Sequence, residues 1–388
     1  MTLQTDSKTA RQPFRHTPRI EQDPAGTWHV RGYAEAKELL KQDLLQDGFG
    51  AESVMKTGLD PVLYQYGEAH RKQRAAIAKY FSPTTVAGKH APVMEQAADE
   101  IIMDLVKSGR ADLRTFTTRM ATVVASAVVG LRPTPGLIKR LDAMLHGGQV
   151  TQPSNRILRS VDFIRNNLLR ISFWLLDVRP AIRERKRTPQ DDVISYMLSK
   201  GKSDVAILAE CLVYGAAGMA TTQEFLCVVL MHAMENPEIR QALASDDINV
   251  RYEALHEILR LEPVIGKIKR RTLVPASVTS DGKEYTIPAD AKIEFHVYDV
   301  NTDPQSVESE PQCLHPQRDL AAGTYRSLIG FGSGPHRCAG EHLALAETDI
   351  FIRRLMALKG LRVVSPPRIS YNATVEGYEI SNYIIEVD

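Results

Sequence analysis

The spacing of apolar residues along the chain predicts a mainly helical protein. Apolar side chains recur at intervals of three and four in six segments, residues 33–40, 92–107, 115–131, 161–182, 250–261 and 339–358. In the segment 161–182 the apolar stripe comprises Ile164, Leu168, Ile171 and Leu175. Strand-like patterns are confined to residues 27–30 and 268–301. The fold class expected from this pattern is mainly α with minor β.

A further helix should cross the centre of the molecule. It runs from Asp204, a candidate N-cap, to Asn236 before Pro237, and its residues are apolar nearly all round. At 1.5 Å per residue this helix would be about 50 Å long, and a helix without a polar face is expected to be buried. Its uncharged stretch, Cys211 to Gln223, is shorter than the roughly 20 apolar residues of a membrane span. We therefore expect no membrane association.

Composition narrows the class of protein. Hydrophobic residues make up 43% and charged residues 24% of the 388 positions, as in ordinary globular domains. The net charge of +1 gives no reason to expect a nucleic-acid partner. Four cysteines lie far apart without a CxxC pair, and the segment from Met1 to His16 is polar without a signal-peptide pattern. With no internal repeat or linker, these features predict one cytoplasmic domain over residues 1–388.

The segment from Phe331 to Gly340 carries the strongest chemical signal. Glycines at 332 and 334 and a proline precede Cys338, and an amphipathic helix follows. Glycines allow a flat ligand to approach the backbone closely. A cysteine that begins a helix should have a lowered pKa and exist readily as the thiolate, the form that binds metal ions. The segment therefore predicts a metal-binding thiolate.

This segment resembles the haem-binding loop of the cytochrome P450 superfamily, FxxGxxxCxG. It matches at Phe331, Gly334, Cys338 and Gly340, and Gly332 and His336 are also common there. The resemblance implies the cytochrome P450 fold with a shortened N-terminus, and heme b between the long central helix and the cysteine-loop helix, with Cys338 as axial ligand. Two other interpretations remain open: a buried structural cysteine, and a zinc site from His336, Cys338 and His342. The zinc site would need a fourth ligand and would not explain the glycines.

Further segments resemble the same family. Glu257 and Arg260 match its ExxR motif and share a helix face, and the resemblance implies Arg318 as the third member of a structural triad. His70 and Arg74, one helical turn apart, resemble the pair that binds the haem propionates. The remaining propionate ligands implied are Arg271, with Arg270 as the alternative, and His336.

In the long helix, residues 217–222 resemble the oxygen-activation segment of the family. The resemblance implies that Gly218 lets the helix open beside the iron and that Thr221 donates to bound dioxygen. Without the family, a threonine here indicates a side chain bonded back to its own helix. Ala220 occupies the position of the usual acid, so we expect proton delivery by Glu224 or by water held at Thr221; a polar group of the substrate is the alternative.

The resemblance implies a monooxygenase that inserts one oxygen atom from O2 into a hydrophobic small molecule. The residues expected to line its pocket are Val213, Ala217, Gly218, Thr221, Val264, Ile265 and Gly266. The segment between Leu40 and His70 is short, which predicts an open pocket for a bulky or carrier-tethered substrate of secondary metabolism. Lys267 could anchor an anion but is more simply a surface lysine.

Electrons should come from a separate protein, because the chain has no flavin or nicotinamide motif. A ferredoxin or flavodoxin with its reductase is expected, docking near Arg71, Lys72 and Arg337. One alternative is a haem-thiolate enzyme that uses peroxide or couples radicals without oxygen insertion, which Ala220 makes less remote. Another is a non-catalytic haem or gas-binding protein, which Thr221 and the apolar pocket oppose.

Overall fold

Helices form most of the protein. The computed structural model describes residues 18–49, 51, 58–146, 156–307, 309–372 and 376–388. Its helices are α1 Tyr33–Leu40, α2 Gly67–Ala78, α3 Ala91–Ser108, α4 Leu113–Val129, α5 Pro135–His146, α6 Arg156–Phe173, α7 Arg179–Arg187, α8 Val193–Ser199, α9 Asp204–Glu235, α10 Pro237–Leu243, α11 Ile248–Leu261, α12 Val297–Asn301 and α13 Glu341–Met356. The prediction about the polar segment from Met1 to His16 falls outside the described part of the chain.

Short irregular turns extend several helices. A single turn, Pro83–Thr85, and a π-helical turn, Val86–His90, precede α3, and a second π-helical turn, Trp174–Val178, joins α6 to α7. The 3₁₀ turns are Val62–Tyr64, Lys79–Phe81 and Gly334–His336.

The strands form four small sheets. They are β1 Ile20–Gln22, β2 Trp28–Val30, β3 Leu44–Gln46, β4 Arg110–Asp112, β5 Lys267–Thr272, β6 Ala276–Ser280, β7 Lys283–Ile287, β8 Lys292–His296, β9 Arg362–Ser365, β10 Arg368–Asn372, β11 Gly377–Ser381 and β12 Ile384–Glu386. The largest sheet has the order β1-β2-β8-β5-β3, in which only β2 and β8 are parallel. The others are β4-β12-β9 and the hairpins β6-β7 and β10-β11.

Helix α9 lies at the centre of the helical part. Its cap lies one residue earlier than predicted, because Ser203 rather than Asp204 is the N-cap and accepts from the backbone N–H of Ala206 at 3.2 Å. The helix packs most closely against α4 and also against α11 and α13. Among the described helices, α9 alone has the length and composition of a membrane span, a property that the core helices of soluble proteins share.

The apolar stripe of α6 does not face the core. Ile164, Leu168 and Ile171 are 53–61% exposed, and Leu175 in the following turn is 46% exposed. The prediction of a helix was correct, but periodicity alone does not tell which neighbour, if any, covers its apolar face.

Two hydrophobic cores result. The larger joins the helices from α3 to α13 with β11 and β12, and the smaller lies between α1 and the sheets formed by β1 to β8. The cysteine segment lies where these two cores meet, because Gly334 lies against the end of α1 and the helix that follows the segment, α13, packs on α9.

Candidate functional site

The cysteine segment is a tight loop that packs against α1. Gly332 and Gly334 have φ angles of +74° and +66°, in the left-handed region that favours glycine. A Cβ atom on Gly334 would lie 1.9 Å from the carbonyl oxygen of Leu40, so no side chain fits there. The backbone N–H of Cys338 donates to the carbonyl of Phe331 at 2.8 Å, which closes the loop. The ring of Phe331 packs edge-on against His256 at 6.0 Å.

Cys338 is a free, exposed residue that precedes the helix instead of beginning it. Helix α13 starts at Glu341, whereas the sequence predicted a start at residue 339. Protein atoms packed around the thiol raise its pKa, although the backbone N–H of Gly340 and the positive charge of Arg74 act in the opposite direction. The prediction of a lowered pKa in the protein alone was therefore wrong. Deprotonation would need the charge of a bound metal ion.

Four basic side chains meet beside this loop. The rings of His70 and His336 stack with their centres 4.0 Å apart. Arg74 donates to the carbonyl oxygen of Arg337, and Arg270 donates to Gln46 and, at 2.8 Å, to the carbonyl of Lys269. The structure thus brings together three of the predicted propionate ligands, His70, Arg74 and His336.

These groups share one electrostatic environment. Burial lowers the pKa of His70 to about 4 and of His336 to about 3, and the charges of Arg74 and Arg270 contribute to both shifts. Burial lowers the pKa of Arg270 to about 10. Among the described residues, no carboxylate hydrogen-bonds to any of the four side chains.

Arg271 does not reach this cluster. Its guanidinium binds Asp290 at 3.1 Å and Asp47 at 3.2 Å. Successive residues of a strand point to opposite faces of the sheet, so only one of Arg270 and Arg271 can face the cysteine loop. The alternative Arg270 takes the position that was expected for Arg271.

The predicted structural triad is assembled. Arg260 makes two hydrogen bonds of 2.8 Å to the carboxylate of Glu257, and Arg318 donates to the same carboxylate at 3.0 Å. Both arginines also donate to the carbonyl of Cys313, at 3.2 Å and 2.7 Å. All three side chains of the triad are buried. They hold the segment that leads into the cysteine loop.

On the long helix, Val213, Ala217 and Thr221 lie one turn apart and share a face. Ala217 is exposed although the C-terminal half of α9 is buried. The hydroxyl of Thr221 donates to the carbonyl of Ala217 at 2.7 Å, which is the back-bonded conformation. Gly218 does not open the helix: α9 is continuous, and a Cβ there would lie 3.1 Å from Ala125 of α4. This glycine allows two helices to approach each other.

Glu224 is held by the C-terminal hairpin. Its carboxylate accepts from the backbone N–H of Ile380 at 2.7 Å and from the side-chain amide of Gln223 at 3.2 Å. The residue is buried. These contacts give Glu224 a structural role between α9 and β11, and they do not link it to the hydroxyl of Thr221.

The other predicted pocket residues, Val264 and Ile265, lie where the same hairpin meets the strand β5. Val264 is buried and Ile265 is partly buried. A Cβ on Gly377 would lie 1.9 Å from the carbonyl oxygen of Val264, and one on Gly266 would lie 2.1 Å from that of Glu376. Two opposed glycines therefore let the start of β11 approach this segment.

Several minor expectations are modified. Lys267 binds Glu294 at 2.8 Å and is not a free surface lysine. Arg71 and Lys72 are exposed but paired with Asp43 and Glu68, and Arg337 pairs with Glu341 and stacks over Tyr325.

His336, Cys338 and His342 do not form a group of close ligand atoms among the described residues. The zinc interpretation thus has no support.

Two residues of the site were missed by the sequence analysis. Gln46 holds Arg270, and Asn301 links the triad to the loop by donating to the carbonyl of Arg260 at 3.0 Å and accepting from Ile329 at 3.0 Å. No local pattern marks Asn301. Arg270, which the sequence analysis named only as the alternative to Arg271, lies on the same buried face of β5 as Ile268 and Thr272.

The donors fit one kind of cofactor. The buried guanidinium of Arg270, with Arg74 and two imidazoles beside it and no carboxylate bonded to them among the described residues, suits an anionic ligand. An exposed cysteine in a glycine-rich loop beside them supplies a metal-binding sulfur. The two propionates and the iron of haem satisfy both requirements. The fold and the site are those expected of a haem-thiolate protein.

Comparison with known proteins also points to a haem-thiolate family. Residues 175–358 match the family model "Cytochrome P450". The chain is 28% identical to pulcherriminic acid synthase of Bacillus subtilis (strain 168), with 77% of this chain and 74% of that protein aligned. It is 25% identical to pentalenic acid synthase of Streptomyces avermitilis, with 94% and 90% aligned. The solved structure of P450BioI, in complex with acyl carrier protein ligated with hexadec-9Z-enoic acid, has a TM-score of 0.77 at 18% identity and covers 96% of each chain. These matches support the cytochrome P450 superfamily as the family of this chain.

Proposed function

We propose that this protein is a monooxygenase that inserts one oxygen atom from O2 into a hydrophobic small molecule of secondary metabolism. The observation that carries the proposal is the cluster of four basic groups next to the exposed Cys338: His70 and Arg270 are buried, and none of the four bonds to a carboxylate among the described residues. The names of the relatives, which are synthases of pulcherriminic and pentalenic acid, support a biosynthetic role. That the substrate is bulky or carrier-tethered stays a prediction, since residues 50 and 52–57 fall outside the described part of the segment on which it depends.

In this proposal heme b, when bound, supplies the activation of dioxygen. Cys338 holds the iron through its sulfur, which accepts from the backbone N–H of Gly340. His70, Arg74, Arg270 and His336 bind the propionates through charge-assisted hydrogen bonds. Phe331, Gly332 and Gly340 shape the loop around the sulfur.

Small apolar residues of α9 and of the segment before β5 would exclude water and contact the substrate. Val213 and Ala217 form one wall, and Val264 and Ile265 form another. The hydroxyl of Thr221 holds a proton next to this space, and rotation away from the carbonyl of Ala217 would turn its donor towards the reacting atoms. Water held at Thr221 is the favoured proton source, because the carboxylate of Glu224 is engaged with Ile380.

We also propose that the protein acts as a single domain in the cytoplasm, with a separate ferredoxin or flavodoxin as electron donor and no nucleic-acid or membrane partner. Arg71 and Lys72 are the exposed cations of the predicted docking face. A protein that uses peroxide is the second candidate, favoured by Ala220 in the position of the usual acid.

Ligation by sulfur is tested with the reduced carbonyl spectrum of the purified protein. The wild type should give the red-shifted Soret band of thiolate-ligated haem, and Cys338→Ser should lose it. Cys313→Ser, which keeps the carbonyl that Arg318 binds, should retain it. A nitrogen-type spectrum in the wild type would contradict the proposal.

The reaction is tested with a substrate found by its shift of the Soret band. Turnover under 18O2 with a ferredoxin and its reductase should place one labelled atom in the product. A product formed only when hydrogen peroxide replaces O2 and reductant would favour the second candidate. Haem binding without any turnover across the screen would favour a gas-binding protein.

A further inference from the structure

Three metal-ligating side chains lie together on the five-stranded sheet, apart from the cysteine loop. His29 of β2 is the direct neighbour of Glu294 in the parallel strand β8. His296 is two residues further along β8, so its side chain is on the same face of the sheet as Glu294. The pairing of two strands therefore brings two imidazoles and a carboxylate to one place.

The ligand atoms lie at distances that suit one small ion. His29 Nδ1 is 2.9 Å from His296 Nε2 and 3.8 Å from the nearer oxygen of Glu294. All three lie within 4.8 Å of one another, the one such group among the described residues. Ligands bound to a tetrahedral zinc ion at about 2.0–2.2 Å are about 3.3–3.6 Å apart, which lies between the two observed distances. Small side-chain movements would complete the geometry.

A second carboxylate orients the first imidazole. Asp23 Oδ2 is 3.1 Å from His29 Nε2, and its other oxygen accepts from the backbone N–H of Thr27 at 2.8 Å, which fixes the carboxylate. With Nε2–H of His29 donating to Asp23, the lone pair of Nδ1 points to Glu294 and His296. Protein metal sites commonly use a carboxylate in this way to hold a histidine ligand in the right tautomer.

Two lysines near the site would repel a metal cation, but nearby carboxylates balance most of their positive charge. Lys267 and Lys269 are 2.8 Å and 3.5 Å from the carboxylate of Glu294. Both also bind Glu376, so two carboxylates face two ammonium groups before Asp23 is counted. A metal ion would share or displace the bond from Lys267, which weakens the site without abolishing it.

We propose that His29, Glu294 and His296 form a binding site for a divalent transition-metal ion, best suited to Zn²⁺. Two histidines and one carboxylate are a common zinc donor set, and water would fill the remaining position. The ion would fasten β2 to β8 and so stabilise the sheet that supports α1. This site is independent of haem and of the proposed reaction.

Zinc binding is measured on the holoenzyme after removal of metals with EDTA, by dialysis against zinc chloride and mass-spectrometric metal analysis. The wild type should retain one zinc ion more per chain than His29→Ala. Asp23→Asn should weaken this site about 10- to 100-fold. The control is His315→Ala, since His315 pairs with Glu310 at 3.1 Å without a third ligand, and it should bind zinc like the wild type. Equal zinc content and affinity in wild type and His29→Ala would overturn the proposal.

Location is tested without any substitution, in case His29→Ala fails to yield holoenzyme. Crystals of the wild type soaked in zinc chloride should show an anomalous peak at the zinc edge between His29, Glu294 and His296. Peaks confined to other surface residues would overturn the proposal.

Discussion

The environment of Arg270 indicates that its guanidinium binds an anionic ligand. A buried guanidinium is costly unless an anion or several acceptors bind it, and the described residues offer only the side chain of Gln46 and the carbonyl of Lys269. Its neighbour Arg271 has two carboxylate partners and is half-buried. The two arginines are therefore a matched pair for testing the propionate site.

We predict that Arg270→Leu loses haem about 10- to 100-fold faster than the wild type, because a hydrogen bond to a charged group contributes about 1.5–3 kcal/mol. Arg271→Leu should change the rate little. The measurement is the rate of haem transfer to an apoglobin acceptor. Faster loss from Arg271→Leu than from Arg270→Leu would reverse the assignment.

Thr221 and Glu224 can be separated by how efficiently oxidant is used. Thr221→Val removes the hydroxyl but keeps the shape, and we expect several-fold more hydrogen peroxide per electron consumed. Glu224→Gln keeps an oxygen that can accept from Ile380, and its coupling should stay near that of the wild type. The readout is peroxide formed against product. Uncoupling only in Glu224→Gln would show that this carboxyl carries the protons.

At this scale the sequence identified most site residues but not their orientations. Arg270 and Arg271 could not be told apart because a shift of one residue in strand register exchanges the two faces of a sheet. Gly218 was assigned to the wrong face of its helix because the neighbour that it contacts, Ala125, is far away in the chain. Such contacts have no local signature.

Among the elements, α9 also holds the segment before α2. Glu210 of α9 accepts from the backbone N–H of Val62 at 2.8 Å and from Gln73 at 2.7 Å, while its other oxygen has no partner among the described residues. Burial raises the pKa of Glu210 to about 7 from an ordinary value of 4.5. The carboxyl is protonated in the folded protein at pH values where it would ionise in the unfolded chain.

Because this pKa is raised, the contribution of Glu210 to stability is complete below about pH 4.5 and is lost as the pH rises towards 7. We predict that Glu210→Gln gains about 1–3 kcal/mol relative to the wild type at pH 8 and little at pH 4.5. The readout is the thermal midpoint at both pH values, with the exposed Glu68→Gln as control. A constant difference between variant and wild type at the two pH values would refute the assignment.

Helices were easier to foresee than the contacts between them. The long helix α9 followed from its length and its uniformly apolar composition, and its cap differed from the prediction by one residue. The start of α13 was placed too early because Ala339 and Gly340 do not break the apolar pattern that follows. Exposure of the stripe on α6 depends on the packing of the whole molecule, which periodicity does not contain.

For the whole molecule, stability should come from the helical core and not from the exposed face of α6. Leu226 is fully buried in α9, whereas Leu168 is 61% exposed. We predict that Leu226→Ala lowers the free energy of unfolding by about 3–5 kcal/mol, and that Leu168→Ala changes it by less than about 0.5 kcal/mol. The measurement is urea unfolding of the two variant holoenzymes and of the wild type, which gives the free energy of unfolding for the same Leu→Ala change at a buried and at an exposed position. A large loss in Leu168→Ala would mean that another surface covers this face.

The superfamily could be identified from a small set of residues because the haem imposes them: a sulfur, its glycine loop, basic groups for two propionates and the triad behind the loop. Contacts that no cofactor dictates, such as that of Gly377 with Val264 or the group around His29, follow only from the folded chain.

The contact between Gly334 and Leu40 has a mechanical consequence. With no room for a side chain, the loop that carries Cys338 rests directly on the last turn of α1. That helix shares a hydrophobic core with the N-terminal strands β1 and β2. A displacement of those strands, by a fused tag or a truncation, would shift the position of Cys338 and so weaken its hold on a bound haem. The absorption spectrum of bound haem should therefore change when the N-terminal strands or α1 are disturbed.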